Sequence, residues 1–150
     1  MEYEAMRILS LDVGDRRIGL AISDEMGWTA QGLETYERRN LRKDLAYLIE
    51  LIRSRDVTDV VVGLPRHLDG HIGPQAQKVL TFVDSLKTQI SVPILMWDER
   101  LTTREAERTL IDAHVRRSKR KTVVDQMAAI LILQGYLDSR QAASQPTGEV

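Results

Sequence analysis

The chain has 150 residues, 43% hydrophobic and 29% charged, a balance that suits one soluble globular domain with its own core. It contains no cysteine, which excludes a disulfide scaffold, a thiolate metal site and a cysteine nucleophile, and agrees with a reducing, cytoplasmic setting. The formal net charge of −1 removes any global basic field, so contact with nucleic acid has to rest on local patches.

The acidic start "MEYEAMRILSLD" lacks a secretory pattern, and no apolar stretch approaches the roughly 20 residues that span a bilayer. Strands are predicted over 7–11 and 18–23, separated by "DVGDRR", with a third near 33–36, an antiparallel meander. A helix over 41–54 follows, with Asn40 as its N-cap and Leu41, Leu45, Leu48, Ile49 and Ile52 at helical spacing. "DVVVGLP" (59–65) is a β-branched run ended by Gly63 and Pro65 and reads as a central strand. A second helix covers 73–89, with Pro74 in its first turn and Ala76, Val79, Leu80, Val83 and Leu86 inward. "VPILMWDE" (92–99) is the next strand, and "TTREAERTLIDA" opens a helix with a Thr102–Glu105 capping box. A basic loop, "VRRSKRK", leads to a last helix over 123–139, with Ala128, Ala129, Ile132, Leu133 and Tyr136 packing. The order predicts one α/β domain over 1–140, with a disordered tail over 141–150. Its sheet has five strands in a mixed arrangement, a three-strand antiparallel meander plus two parallel strands, flanked by helices.

Three carboxylates occupy unusual places: Asp12 where the first strand ends, Glu99 where the last strand ends, and Asp125 in the first turn of the last helix. Sites in open α/β sheets gather beyond the carboxyl ends of strands, so this topology brings the three together. Clustered carboxylates repel unless a hard cation neutralises them, and Mg²⁺ or Mn²⁺ with oxygen ligands suits phosphodiester cleavage. Each acid also has an ordinary explanation: Asp12 begins a turn, Glu99 pairs with Arg100 or Arg104, and Asp125 favours a helix N-terminus. Asp12 fits its ordinary explanation least, because it follows buried residues. Asp98 competes with Glu99, and only one of two adjacent strand residues can face the cluster.

Phosphate-compatible groups surround these acids. Gly14 and Gly19 allow close backbone approach, Arg16 and Arg17 can hold phosphate oxygens, and Thr102 and Thr103 lie at a helix start. Arg116, Arg117, Lys119, Arg120 and Lys121 form either a solvated charge run or a nucleic-acid patch. His67, Asp69 and His71 lie in a glycine loop without zinc spacing, which reads as a substrate-facing loop. His114 reads as polar surface. Trp28 and Trp97 read as packing residues, although Trp28 could stack a base.

"LSLDVGDRRIGLAISD", "VVGLPRHLDGHIGPQA", "WDERLTTREAERTL" and "KTVVDQMAAILILQGYL" together resemble the YqgF family. These are bacterial Holliday-junction-resolvase-like proteins, also described as pre-16S rRNA nucleases. The resemblance runs from Arg7 to Leu137, with four blocks in order. It implies an RNase H-like fold and a metal-dependent nuclease whose acidic positions fall on Asp12, Glu99 and Asp125. It also implies a glycine–basic turn at Gly14, Arg16, Arg17 and Gly19, and a threonine pair at Thr102 and Thr103. This chain departs from the family at Arg66 and His67, where a Leu-Asn pair is common. The implied substrate is a small-subunit ribosomal RNA precursor cut at its 5′ end, with pre-ribosomal particles as partners and Holliday junctions as the alternative.

Two readings of other classes stand beside this one. "LDVGDRRIGLAISD" also resembles the first phosphate loop of the actin and sugar-kinase ATPases, which enclose their nucleotide between two domains. A non-catalytic RNA-binding assembly factor would keep the same acids. The oligomeric state is open between monomer and homodimer: junction resolution needs two cuts and hence usually a dimer, but no stretch declares an interface.

Overall fold

The computed structural model describes residues 6–99 and the helix 117–144, whose side chains are described from 126 to 141. Strands β1 (Ile8–Val13), β2 (Arg17–Ser23) and β3 (Ala30–Glu37) form the expected meander. Helix α1 (Leu41–Ser54), β4 (Asp59–Leu64), α2 (Pro74–Lys87) and β5 (Ile94–Asp98) follow, and α3 (Arg117–Ser144) completes the described chain. The sheet order is β3-β2-β1-β4-β5, with β1, β4 and β5 mutually parallel.

β1 is the middle strand and is covered on both faces, which is why its sequence is apolar almost throughout. Leu9, Leu11 and Val13 face the layer that holds Leu45, Leu48 and Ile52 of α1 and Val79, Val83 and Leu86 of α2. Ile8, Ser10 and Asp12 alternate onto the other face, where Ile8 meets Ala129, Ile132, Leu133 and Leu137 of α3. Burying each of these aliphatic side chains contributes about 1.5–3 kcal/mol before the entropy of ordering them.

α3 is also pinned to the sheet by polar contacts. Ser10 Oγ donates to the Ala129 carbonyl at 2.7 Å, Gln126 Nε2 to the Leu33 carbonyl at 3.0 Å, and Gln134 Oε1 accepts from Ala30 N at 3.2 Å. Gly32 makes room for the second of these, since a Cβ there would lie 2.6 Å from Gln126 Cδ. These contacts fix the register of the helix and run it antiparallel to β1, because Gln134 lies at Ala30 and Gln126 at Leu33 of β3, which runs in the same direction as β1.

Several expectations need correction. The basic segment is not a loop from Arg117 onward; it forms the first turns of α3. Residues 117–134 hold neither glycine nor proline, so nothing interrupts a helix that packing has already committed. Asp125 is therefore nine residues in, and no acid occupies the first turn. α3 also continues through 141–144, into the segment read as tail. β4 runs over Asp59–Leu64, as the run ended by Pro65 led one to expect. Leu41 and Trp28 are 46% and 56% exposed, so neither is a core residue, whereas Trp97 packs edge-on against Tyr136. Asn40 does cap α1, its side chain accepting from Lys43 N at 2.9 Å. The helix expected after Thr102 lies outside the described residues.

Candidate active site

Because β1, β4 and β5 are parallel, their carboxyl ends share one edge of the sheet. Leu11, Val62 and Met96 lie level across the three strands, which places Asp12, Gly63 and Trp97 in the next row. Trp97 belongs to the α3 layer and Met96 to the opposite one. Alternation thus assigns Asp98 to the Met96 face and leaves Glu99, just past the strand, for the face that carries Asp12.

The packing of Glu99 agrees with that assignment. A Cβ on Gly63 would lie 2.9 Å from both Cγ and Cδ of Glu99, and 2.5 Å from Ile132 Cδ1 on α3. Glu99 therefore folds back over β4 beneath α3, in space that exists because residue 63 has no side chain. Burial pushes its carboxyl up, the charge of Asp12 pushes it further, and Asp98 adds a smaller push; together they raise it to about 8. The charge of Asp12 thus acts on Glu99 from the same edge of the sheet. Gly63 is the site residue that sequence reasoning missed, and a glycine inside a β-branched run was its signal.

The third acid is placed by backbone alone. Residue 125 lies four residues, one helical turn, before Ala129, and Asp12 lies two residues beyond Ser10, the partner of Ala129. The helix and strand run in opposite directions, so both steps lead toward the carboxyl edge. The side chain of Asp125 lies outside the described residues. Continuing outward, the eight residues back to Arg117 carry the helix about 12 Å further, so Arg117, Lys119 and Lys121 ride on a helical extension past that edge. Thr102, Thr103 and Arg116 lie outside the described residues.

The turn after Asp12 is tight. Gly14 N donates to the Arg17 carbonyl at 2.9 Å, and a Cβ on Gly14 would come within 2.9 Å of that oxygen. Arg16 is exposed, while Arg17 Nε donates to Glu37 Oε1 at 3.1 Å across to β3. Gly19 lies within β2, directly opposite Asp12, where the β2–β3 register shifts. The loop after β4 is organised by itself. His71 Nδ1 and Asp69 Oδ1 are 2.6 Å apart, the His67 and His71 rings stack at 4.0 Å, and the His71 backbone N–H holds the Asp69 carboxyl below its usual range.

Among the described residues, no group of three or more His, Asp or Glu side chains is arranged to hold a metal ion, the His67–Asp69–His71 loop included. The donor set at the sheet edge nevertheless suits a hard cation. A half-buried carboxyl raised by desolvation and a neighbouring acid is one whose proton a divalent cation displaces into solvent, and carboxylate oxygen is the ligand Mg²⁺ and Mn²⁺ prefer.

The family model for RuvX, described as a Holliday junction resolvase, matches residues 6–139. A protein of Halalkalibacterium halodurans named "Putative pre-16S rRNA nuclease" is 52% identical over 138 residues, covering 91% of this chain and 99% of its own. One of the same name from Thermoanaerobacter pseudethanolicus is 53% identical over 137 residues, covering 91% and 99%. Among solved structures, T. thermophilus RuvC in complex with Holliday junction substrate is similar with a TM-score of 0.59 at 16% identity, over 94% of this chain and 99% of that one. The fowlpox virus resolvase in complex with Holliday junction DNA gives 0.53 at 14% identity, over 90% and 99%. At those identities the likeness is one of fold, and together with the sheet order it makes the fold RNase H-like.

Proposed function

This chain belongs to the RuvX family, and from that premise we propose that it is a divalent-metal-dependent nuclease acting on the 5′ flank of a small-subunit ribosomal RNA precursor. The observation that carries the reading is Glu99, half-buried over Gly63 and raised to about 8 by desolvation and the charge of Asp12 at the carboxyl edge of the sheet. A carboxyl in that state is unfavourable for stability and useful for holding a cation. Asp12 and Glu99 would hold the ion, with Asp125 as the third carboxylate. When bound, Mg²⁺ or Mn²⁺ supplies water activation and stabilisation of the leaving oxygen in phosphodiester hydrolysis.

The protein's own contributions are position and charge. Gly63 leaves the space that Glu99 and Ile132 of α3 fill. Glu99 has to give up its proton for the site to become fully anionic, so metal uptake and proton release are linked. Arg16 and Arg17, on the turn after Asp12, and Arg117, Lys119 and Lys121, on the helical extension, would take backbone phosphates. Thr102, Thr103 and Arg116 complete the phosphate contacts in this proposal. Contacts of this kind position a strand without reading its sequence. No helix among the described residues is long and apolar enough to cross a membrane.

A second reading is junction resolution, favoured by the likeness to RuvC in complex with its Holliday junction substrate. One assay decides between them. RNA carrying the 5′ flank, single-stranded DNA and four-way junctions are offered to wild type and Asp12→Asn with Mg²⁺ or Mn²⁺. Cleavage of the RNA that is lost in Asp12→Asn supports the first reading. Strict preference for junctions, with a dimer in solution, replaces it by the second.

A further inference from the structure

β1 is incompletely paired where it carries Asp12. Its hydrogen-bonded ladder with β4 ends at Leu11–Val62, although Gly63 and Leu64 still lie alongside, and among the described strands it is β2 that continues the pairing, through Asp12–Gly19 and Val13–Ile18. The register irregularity between Ile18 and Leu20 falls at the same level. A strand end whose ladder is one-sided and flanked by a bulge leans more on contacts from outside the sheet. A metal ligand has to be held to about half an ångström, and beside the burial of Val13 in the core a contact from outside the ladder secures the turn that follows Asp12.

Arg38, one residue past β3, supplies it. Its backbone N–H donates to the Arg16 carbonyl at 2.8 Å and its Nη1 to the Gly14 carbonyl at 2.9 Å, so one residue grips both sides of the turn that follows Asp12. The guanidinium is oriented in turn. Its Nε donates to Asp44 Oδ2 at 2.9 Å, and its carbon lies 5.0 Å above the Phe82 ring of α2. Asp44 is 1% exposed, and its Oδ1 accepts from Tyr36 Oη at 3.0 Å and Arg39 N at 2.9 Å. Burial alone would push that carboxyl up, yet the hydrogen bonds from Arg39 N–H, Arg38 and Tyr36 outweigh it and hold it below its usual range. A buried carboxylate satisfied this fully is a rigid anchor. The arginine joins β3, the first turn of α1, α2 and the β1–β2 turn at one point.

We propose that Arg38, oriented by Asp44, is a positioning residue for cleavage: it clamps the β1–β2 turn and thereby holds Asp12 in place. Arg38 is not a phosphate contact in this scheme, because its guanidinium is committed to Gly14, Asp44 and the Phe82 face. The functional half of the proposal rests on the nuclease reading; the clamp itself does not.

The test uses the full chain with Arg38→Ala and Arg38→Lys. Amide exchange is measured for the segment 10–19 and, as internal reference, for β5 and α3. In Arg38→Ala, exchange in the turn should rise about tenfold or more while the reference segments stay within about twofold. Cleavage should fall about 10- to 100-fold in kcat with KM within about threefold, the signature of misplacement rather than lost substrate binding. Added methylguanidinium, filling the vacated space, should restore part of both. Arg38→Lys, which keeps the charge but not the fork, should lose activity nearly as far. Exchange rising everywhere, or a loosened turn with kcat within about twofold, overturns the positioning role. If wild type cleaves nothing, the nuclease reading fails, and exchange confined to the turn still decides whether Arg38 is the clamp.

Discussion

The most exposed consequence of the site geometry is that its acid should weaken the metal-free protein. In the folded state the Glu99 carboxyl is raised from 4.5 to about 8, first by burial and then by Asp12 and Asp98. Between those values the folded protein keeps a proton that the unfolded chain has lost. Stability therefore falls as pH rises through this window and levels off above about 8. Glu99→Gln removes the ionisation while keeping the shape, so its stability should be flat there. Raising a carboxyl this far corresponds to a ceiling of roughly 5 kcal/mol, and relaxation toward solvent trims the expected gain to about 2–4 kcal/mol. Urea unfolding in the presence of a chelator, from about pH 5 to about pH 9, measures it. The two proteins should match at the acid end and diverge steadily, with the variant the more stable at the alkaline end although it cleaves nothing. Equal pH slopes, or a variant less stable near pH 9, would refute the burial of Glu99 against Asp12.

Other expectations follow from the same structure. Gly63→Ala places a methyl against Glu99 and Ile132, so it should cost about 1–3 kcal/mol of stability and lower kcat more than tenfold. Comparing its unfolding midpoint with its turnover separates the two effects, and wild-type turnover in this variant would mean that Glu99 does not use the space over residue 63. Asp12→Asn should abolish metal-dependent cleavage with no loss of helix or sheet signal by circular dichroism. Replacing Arg117, Lys119 and Lys121 together with glutamine should weaken RNA binding. It should also flatten the plot of log affinity against log salt by about 2 units, read by titration at several salt concentrations. Ser10→Ala deletes the buried hydrogen bond to Ala129 and should cost about 1 kcal/mol by thermal unfolding.

Residues whose meaning is local were legible in the chain. Asn40 before an apolar helical repeat, Pro74 at a helix start and the alternation of strands with helices all followed from short-range rules. Asp12 was legible for a similar reason, because a charge at the end of an apolar strand demands a partner. The choice between Asp98 and Glu99 was not legible, since it depends on the phase of β5 relative to α3 and on empty space above a residue of another strand. The basic run was misread because charge density says nothing about whether a helix begins there. Nothing local marks Asp44, whose burial follows only from Tyr36, Arg38 and Arg39 arriving from β3 and the link after it.

Periodicity, capping and strand order were enough to settle the fold class and to single out one edge of the sheet as the chemical one, because those properties depend on neighbours a few residues apart. Tertiary packing alone brought Glu99 over Gly63, lifted its proton affinity and locked the Asp12 turn through Arg38. The reason is physical: desolvation and carboxylate repulsion grow only when distant segments exclude water from a shared volume, and no single segment carries that volume in its own sequence.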